Sequence, residues 1–142
     1  MLIMKNTTNI GNIGQATIVN KFISLGVPVF IPFGEGYIAD IIADFNGKLN
    51  KIQIKTTEKV HNDSYMVWNL SHQEKFHGHH VKYKSDEVDY FALFCIENSV
   101  MCLIPFSESL GRHIQVRLDA YKGRRLKTMH FVSDYKFETI IK

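Results

Sequence analysis

The chain is poor in the residues that staple or interrupt small proteins: its 142 residues include two cysteines, three prolines and one tryptophan. No Cys-x-x-Cys pair exists, so Cys95 and Cys102 lack the spacing of a zinc or dithiol site. Both lie in apolar runs, and the expectation is buried thiols on paired strands. No apolar run approaches the roughly 18 residues of a membrane span. The Met1 to Asn6 start is too short for a secretory core, so an intracellular, cytoplasmic protein without a membrane partner is expected. A large charge excess is missing too: 17 Lys and Arg against 14 Asp and Glu leave a formal +3, which excludes a histone-like or polybasic chain. With 45% hydrophobic residues, the composition fits one globular domain over residues 1–142 with its own core.

What is present is periodic. Ile10, Ile13, Ala16, Ile18, Val19, Phe22, Ile23 and Leu25 recur at helical spacing, with Thr7, Thr8 or Asn9 as caps and Gly26 as the stop. Val27 to Phe33 is a short apolar run whose prolines suit an edge strand, broken by Gly34-Glu35-Gly36. Tyr37 to Phe45 and Leu49 to Thr57 are rich in branched residues and flank Asn46-Gly47, which predicts a hairpin. A strand is expected at Tyr65 to Leu70, a polar connection at Ser71 to Asp89, and a second hairpin from Tyr90 to Ile104 turning at Glu97-Asn98-Ser99. A short helix at Phe106 to Leu110, a strand at His113 to Leu118 and a strand then helix in Met129 to Lys142 complete the reading. Trp68, between Val67 and Leu70, belongs in a core or interface. The predicted class is α+β or α/β, a mixed central sheet flanked by helices.

The small net charge is unevenly placed. Arg112, Arg117, Lys122, Arg124, Arg125 and Lys127 face only Asp119 between Gly111 and Thr128, a +5 segment in a chain of net +3. A flexible basic arm with Tyr121 and Gly123 inside it suits a nucleic-acid groove. The stretch holding His72, Lys75, His77, His79, His80, Lys82, Tyr83 and Lys84 reads as a mobile loop facing phosphates, because its histidines lack zinc-finger spacing and a partner cysteine.

The first hairpin carries Asp40 on one strand and Gln53 and Lys55 on the other. Alternation puts Gln53 and Lys55 on one face and Ile52 and Ile54 on the opposite one. The ordered set Gly11-Asn12-Ile13-Gly14-Gln15, Asp40, the Asn-Gly turn and Gln53-Ile54-Lys55-Thr56-Thr57 resembles the PD-(D/E)XK nucleases. Within them it is similar to the small group I intron-associated homing endonucleases, which carry Gln-x-Lys where most relatives have Glu-x-Lys. Asp89 to Phe94, Cys102 to Pro105 and Val116 to Leu118 resemble the family's later strands.

That resemblance implies a restriction-endonuclease-like fold and hydrolysis of phosphodiester bonds in double-stranded DNA with Mg²⁺ or Mn²⁺. It implies a catalytic set of Gln15, Asp40, Gln53 and Lys55, a metal shell of Asp40, Gln53 and the Ile54 carbonyl, and DNA contacts from Lys75, Lys82, Lys84 and the six basic residues from Arg112 to Lys127. Two anions must meet during cleavage, so a hard cation held by oxygens fits the chemistry better than zinc. One active site cuts one strand, so a homo-oligomer, dimer or tetramer, is expected. The chain departs from the family at Gln15, where a Glu is usual; Asp40 is then the single inner carboxylate, with Glu35 and Asp44 the nearest others. A natural variant, an inactivating substitution and a degenerate DNA-binding module all remain open, as does a junction-resolving or restriction-type nuclease.

Overall fold

A computed structural model describes residues 6–73, 78–109 and 111–142. The first helix, α1, spans Thr7–Ser24 and begins earlier than its hydrophobic pattern suggests. Asn6 is its cap, its Oδ1 accepting the Asn9 N–H at 2.7 Å, so the expected Thr7, Thr8 and Asn9 caps lie inside the helix. Gly14, Ile18 and Phe22 form the buried stripe at four-residue spacing. Ile13 and Ile23 point to solvent. The chain leaves α1 through Gly26 at φ 75°, in the left-handed region.

The strands are β1 (Val29–Phe30), β2 (Ile41–Phe45), β3 (Lys48–Thr57), β4 (Tyr65–Asn69), β5 (Ser71–Gln73), β6 (His80–Lys82), β7 (Tyr90–Cys95), β8 (Met101–Pro105), β9 (His113–Arg117) and β10 (His130–Phe131). A helix α2 (Phe137–Ile140) follows. Five strands form a mixed sheet in the order β1-β2-β3-β7-β8, with β3 and β7 parallel and the other neighbours antiparallel. Asn46 and Gly47 turn the β2–β3 hairpin at φ 54° and 73°, the pair of positive angles a two-residue turn matching strand twist requires.

The two faces of this sheet bury different partners. Ile41, Ala43, Ile52, Ile54, Ala92 and Leu103 pack on Ile18 and Phe22 of α1 and Phe137 of α2. On the other face, Phe91, Leu93, Cys95, Cys102 and Ile104 meet Met66, Trp68, Ile114 and Val116 of a second sheet, ordered β10-β9-β4. The mixed sheet and its helices match the sequence pattern; the second sheet as a layer does not show in it, because its short strands pair across long sequence distances. Trp68 is core, its Nε1–H donating to the Phe94 carbonyl at 3.0 Å. Both thiols are free and buried, and burial, with Asp119 adding to it, pushes Cys102 up to about 12, so it stays protonated and inert at neutral pH.

The described residues between Ser71 and Asp89 are more ordered than their polarity predicts. Residues 71–73 pair with 80–82, and Tyr83 is buried in the core beneath them rather than offered to phosphates. Lys75 and His77 lie outside the described residues.

Gly14 sets the height of α1 over β3. A Cβ added there would lie 1.7 Å from Thr56 Oγ1, so only glycine lets the helix come this close. Gly14→Ala is expected to destabilise the fold by about 1–3 kcal/mol, a loss partly relieved by Thr56→Ala; chemical denaturation of the two variants and their combination measures it. Equal stability of Gly14→Ala and wild type would mean that Thr56 simply rotates away.

Candidate active site

Asp40 lies one residue before β2, not inside the strand as the run from Tyr37 predicts. The β2–β3 pairing starts at Ile41 opposite Ile52, because Gly34 and Gly36, both at φ 89°, hold the preceding loop out of the sheet. The Asp40 backbone N–H donates to the Ile52 carbonyl at 2.9 Å, anchoring the residue. Its side chain extends along β3 and accepts the Ile54 N–H on Oδ2 at 2.8 Å. In a strand the N–H and C=O of one residue point to the same edge. The Ile54 carbonyl therefore faces the edge where Asp40 sits and β2 has ended.

Gln53 and Lys55 emerge on the face opposite Ile52 and Ile54, as alternation predicts. Gln53 Oε1 is buried and has no hydrogen-bond partner among the described residues. An orphaned acceptor of this kind costs about 1–3 kcal/mol, so its presence needs a reason. Gln53, Asp40, Glu35, His72 and Tyr83 line one open cavity of about 530 Å³. Gln15, Glu35 and Asp40 line an adjoining one of about 320 Å³, so α1 and the hairpin converge on Asp40 from two sides. Asp44 projects from the strand to solvent and lines neither cavity.

The electrostatics follow from burial. Desolvation raises the Asp40 carboxyl above its ordinary value of 3.8, although the Ile54 N–H and the charge of Lys55 pull it down. Desolvation lowers Lys55 below 10.5, against the attraction of Asp40. Lys55 is held on its other side: Nζ donates to the Ser71 carbonyl at 3.0 Å and lies 5.0 Å from the centre of the Tyr83 ring. Burial and the nearby charges of Asp40 and Glu87 raise the Tyr83 hydroxyl, which stays neutral. Neither Ser71 nor Tyr83 is tied to Lys55 by any sequence motif; the β5–β6 ladder delivers both.

The oxygen donors suit a hard divalent ion. Asp40 Oδ1 accepts no hydrogen bond among the described residues, Gln53 Oε1 is unpartnered, and the Ile54 carbonyl points to the same edge. Carboxylate, amide and carbonyl oxygens are the ligands Mg²⁺ and Mn²⁺ take. Among the described residues no three His, Cys, Asp or Glu side chains gather as a metal-binding group.

The family model for PD-(D/E)XK endonuclease matches residues 5–138. This chain belongs to the PD-(D/E)XK endonuclease family. The fold is also that of a solved structure, the bacterial homing endonuclease I-Ssp6803I, at a TM-score of 0.73 and 20% identity over 87% of this chain and 86% of that one. No curated protein matches the sequence.

The basic residues of this PD-(D/E)XK chain are spread over several elements. Lys82 ends β6 and Lys84 follows it, both exposed, and Arg112 stands exposed before β9. Lys122, Arg124 and Lys127 are exposed on the loop from 118 to 129. Two arginines, Arg117 at the end of β9 and Arg125 on the loop, are already engaged. Arg117 lies 5.4 Å from the centre of the Tyr65 ring and 4.6 Å from that of Tyr121. Arg125 stacks 4.0 Å from the Phe131 ring and donates to the Asp119 carbonyl at 2.9 Å. The loop is thus tethered to β10 at Arg125, where the sequence suggests a free arm. No helix among the described residues is long and apolar enough to cross a membrane.

Proposed function

We propose that this PD-(D/E)XK chain is a Mg²⁺- or Mn²⁺-dependent endonuclease that hydrolyses double-stranded DNA at a specific site, in the manner of a homing endonuclease. The observation that carries the reading is that Asp40 and Gln53, with its orphaned Oε1, line one cavity while the Lys55 ammonium lies near enough to Asp40 for their charges to attract. Asp40, Gln53 and the Ile54 carbonyl would hold the ion. When bound, it supplies positive charge against the phosphate and makes water more acidic.

The protein's own groups do the rest. Asp40 is kept in place by two backbone hydrogen bonds, so its free oxygen is aimed before any ligand arrives. Lys55, fixed between the Ser71 carbonyl and the Tyr83 ring, orients the attacking water and offsets charge growing on the phosphate. Gln15 contributes a neutral amide at the cavity's second wall. Lys82, Lys84, Arg112 and the loop lysines and arginines neutralise backbone phosphates, and Lys75 joins them by sequence. Two strands require two sites, so the acting form is a homo-oligomer.

A second reading, a DNA-binding module with weak or no cleavage, is favoured by the single carboxylate contributed by Asp40 next to Gln15. One assay separates them: incubating a plasmid library with protein in Mg²⁺ or Mn²⁺ and sequencing the ends. Site-specific breaks support the nuclease. Gln15→Glu adds a second carboxylate and is expected to bind Mn²⁺ about tenfold or more tightly, measured by calorimetry, and to cut faster at limiting metal. Duplex binding without breaks in wild type, but with breaks in Gln15→Glu, would establish the module reading.

A further inference from the structure

The loop between β1 and β2 carries an exposed apolar surface that the proposed chemistry leaves unused. Phe33 is 98% exposed and Tyr37 65%, with Ile31 and Phe30 more than half exposed beside them. A nearly naked phenylalanine next to further exposed apolar residues marks a binding surface rather than scatter. Pro32 and Gly34, on either side of Phe33, line the cavity that holds Asp40 and Gln15. Phe33 therefore projects from the rim of the cleft itself, its Cα about 3.8 Å from each of two cleft-lining neighbours.

That position selects the occupant. A phosphate reaching Asp40 belongs to a duplex whose grooves are about 6 to 12 Å across, so the neighbouring nucleotides must pass over this rim. A second protein copy seated on Phe33 and Tyr37 would cover the mouth of the same cleft. Outside the rim, the apolar groove of Phe30, Ile31, Phe33 and Ile38 ends at Lys51, Asp86 and Glu87. The two carboxylates outnumber the one ammonium, whose Nζ donates to the Asp86 carbonyl at 2.7 Å, so the groove attracts phosphates poorly and its apolar surface suits the uncharged base stack. Pro32 fixes its own φ before the ring, and Gly34 at φ 89° turns the chain sharply afterwards, which leaves Phe33 at the tip of the loop.

We propose that Phe33 is a wedge that enters the base stack beside the scissile phosphate, opening one base step and bending the duplex toward Asp40. Apolar side chains inserted between base pairs kink DNA in this way and gain a wider contact surface. The inference rests on the nuclease reading above and adds the element that deforms the substrate.

The test uses the full-length protein and a duplex containing the site mapped by wild-type cleavage, with 2-aminopurine moved through successive positions. In metal-free buffer, wild type is expected to raise fluorescence at one step adjacent to the cut. Phe33→Ala is expected to abolish that rise, weaken binding about tenfold or more and slow cleavage, whereas Phe33→Leu retains part of each. With its side chain in solvent, replacing Phe33 leaves melting unchanged. Unaltered fluorescence and affinity in Phe33→Ala, with wild type cutting normally, would overturn the wedge. So would a Phe33→Ala protein that loses its oligomeric state in sedimentation but keeps the fluorescence rise, which would make this surface a subunit contact. Absence of any duplex binding or cleavage by wild type would instead overturn the nuclease reading, and the wedge with it.

Discussion

Asp40→Asn is expected to cut DNA about 10³-fold more slowly than wild type, or worse, and yet to melt at a higher temperature in metal-free buffer at neutral pH. The two effects share one cause. Burial makes the carboxylate the unfavourable form of this side chain, and its pKa in the folded protein stands above the ordinary 3.8. Between 3.8 and that raised value the native state keeps a proton that the unfolded chain has released. Stability therefore falls as pH rises through this window, and the loss persists above it. Asparagine cannot ionise, and its carbonyl oxygen can still accept the Ile54 N–H that Asp40 accepts at 2.8 Å. The melting advantage should therefore vanish below pH 3.8, where both proteins are neutral at this position, while the loss of cleavage is seen at every pH at which wild type cuts. Scanning calorimetry at neutral and acidic pH in EDTA, with a cleavage assay alongside, measures both. Equal melting temperatures at neutral pH would mean that Asp40 ionises without cost, and full cleavage would remove it from the site.

Such a trade of stability for chemistry explains which parts of the site are visible in the sequence. Gln53 and Lys55 are legible because a strand alternates strictly, and the Asn-Gly turn fixes the register that brings them beside Asp40. Asp40 itself is legible as a residue but not in its setting. Period-two patterning cannot say that pairing stops at Ile41, since Gly34 and Gly36 decide that through backbone angles. The supports of Lys55 are hidden altogether. Ser71 offers a backbone carbonyl, which carries no residue signature, and Tyr83 reaches the site only because a polar, His-rich segment folds back as the β5–β6 ladder. Composition reads that segment as solvent-facing, which holds for His80, Lys82 and Lys84, whereas Tyr83 turns inward and packs against Phe91. The basic loop errs in the same direction: charge suggests freedom, but Phe131 supplies a ring on which Arg125 rests.

Lys55→Met is expected to lower kcat by about 10²- to 10³-fold and to make metal binding more demanding of pH. The cation of Lys55 is one of the two influences that pull the Asp40 carboxyl down. Without it, desolvation is opposed only by the Ile54 N–H, so Asp40 holds its proton to higher pH, and Mn²⁺ binding, which needs the carboxylate, begins at higher pH than in wild type. Lys55→Arg separates charge from fit. A guanidinium stays charged throughout and so should restore the low-pH onset of metal binding. Its planar fork does not match the single Ser71 carbonyl that takes the ammonium at 3.0 Å, so the rate should stay well below wild type. The basic side of the profile gives an independent reading. Because burial lowers Lys55 below 10.5, wild-type cleavage should decline at a pH where an exposed lysine is still charged, and that decline should be missing in the Arg protein. Calorimetric Mn²⁺ titrations across pH, with single-turnover cleavage of the mapped site, test both limbs. An unchanged onset of metal binding in Lys55→Met would show that Lys55 does not act on Asp40, and a wild-type rate in the Arg protein would show that charge alone, without the Ser71 and Tyr83 clamp, suffices.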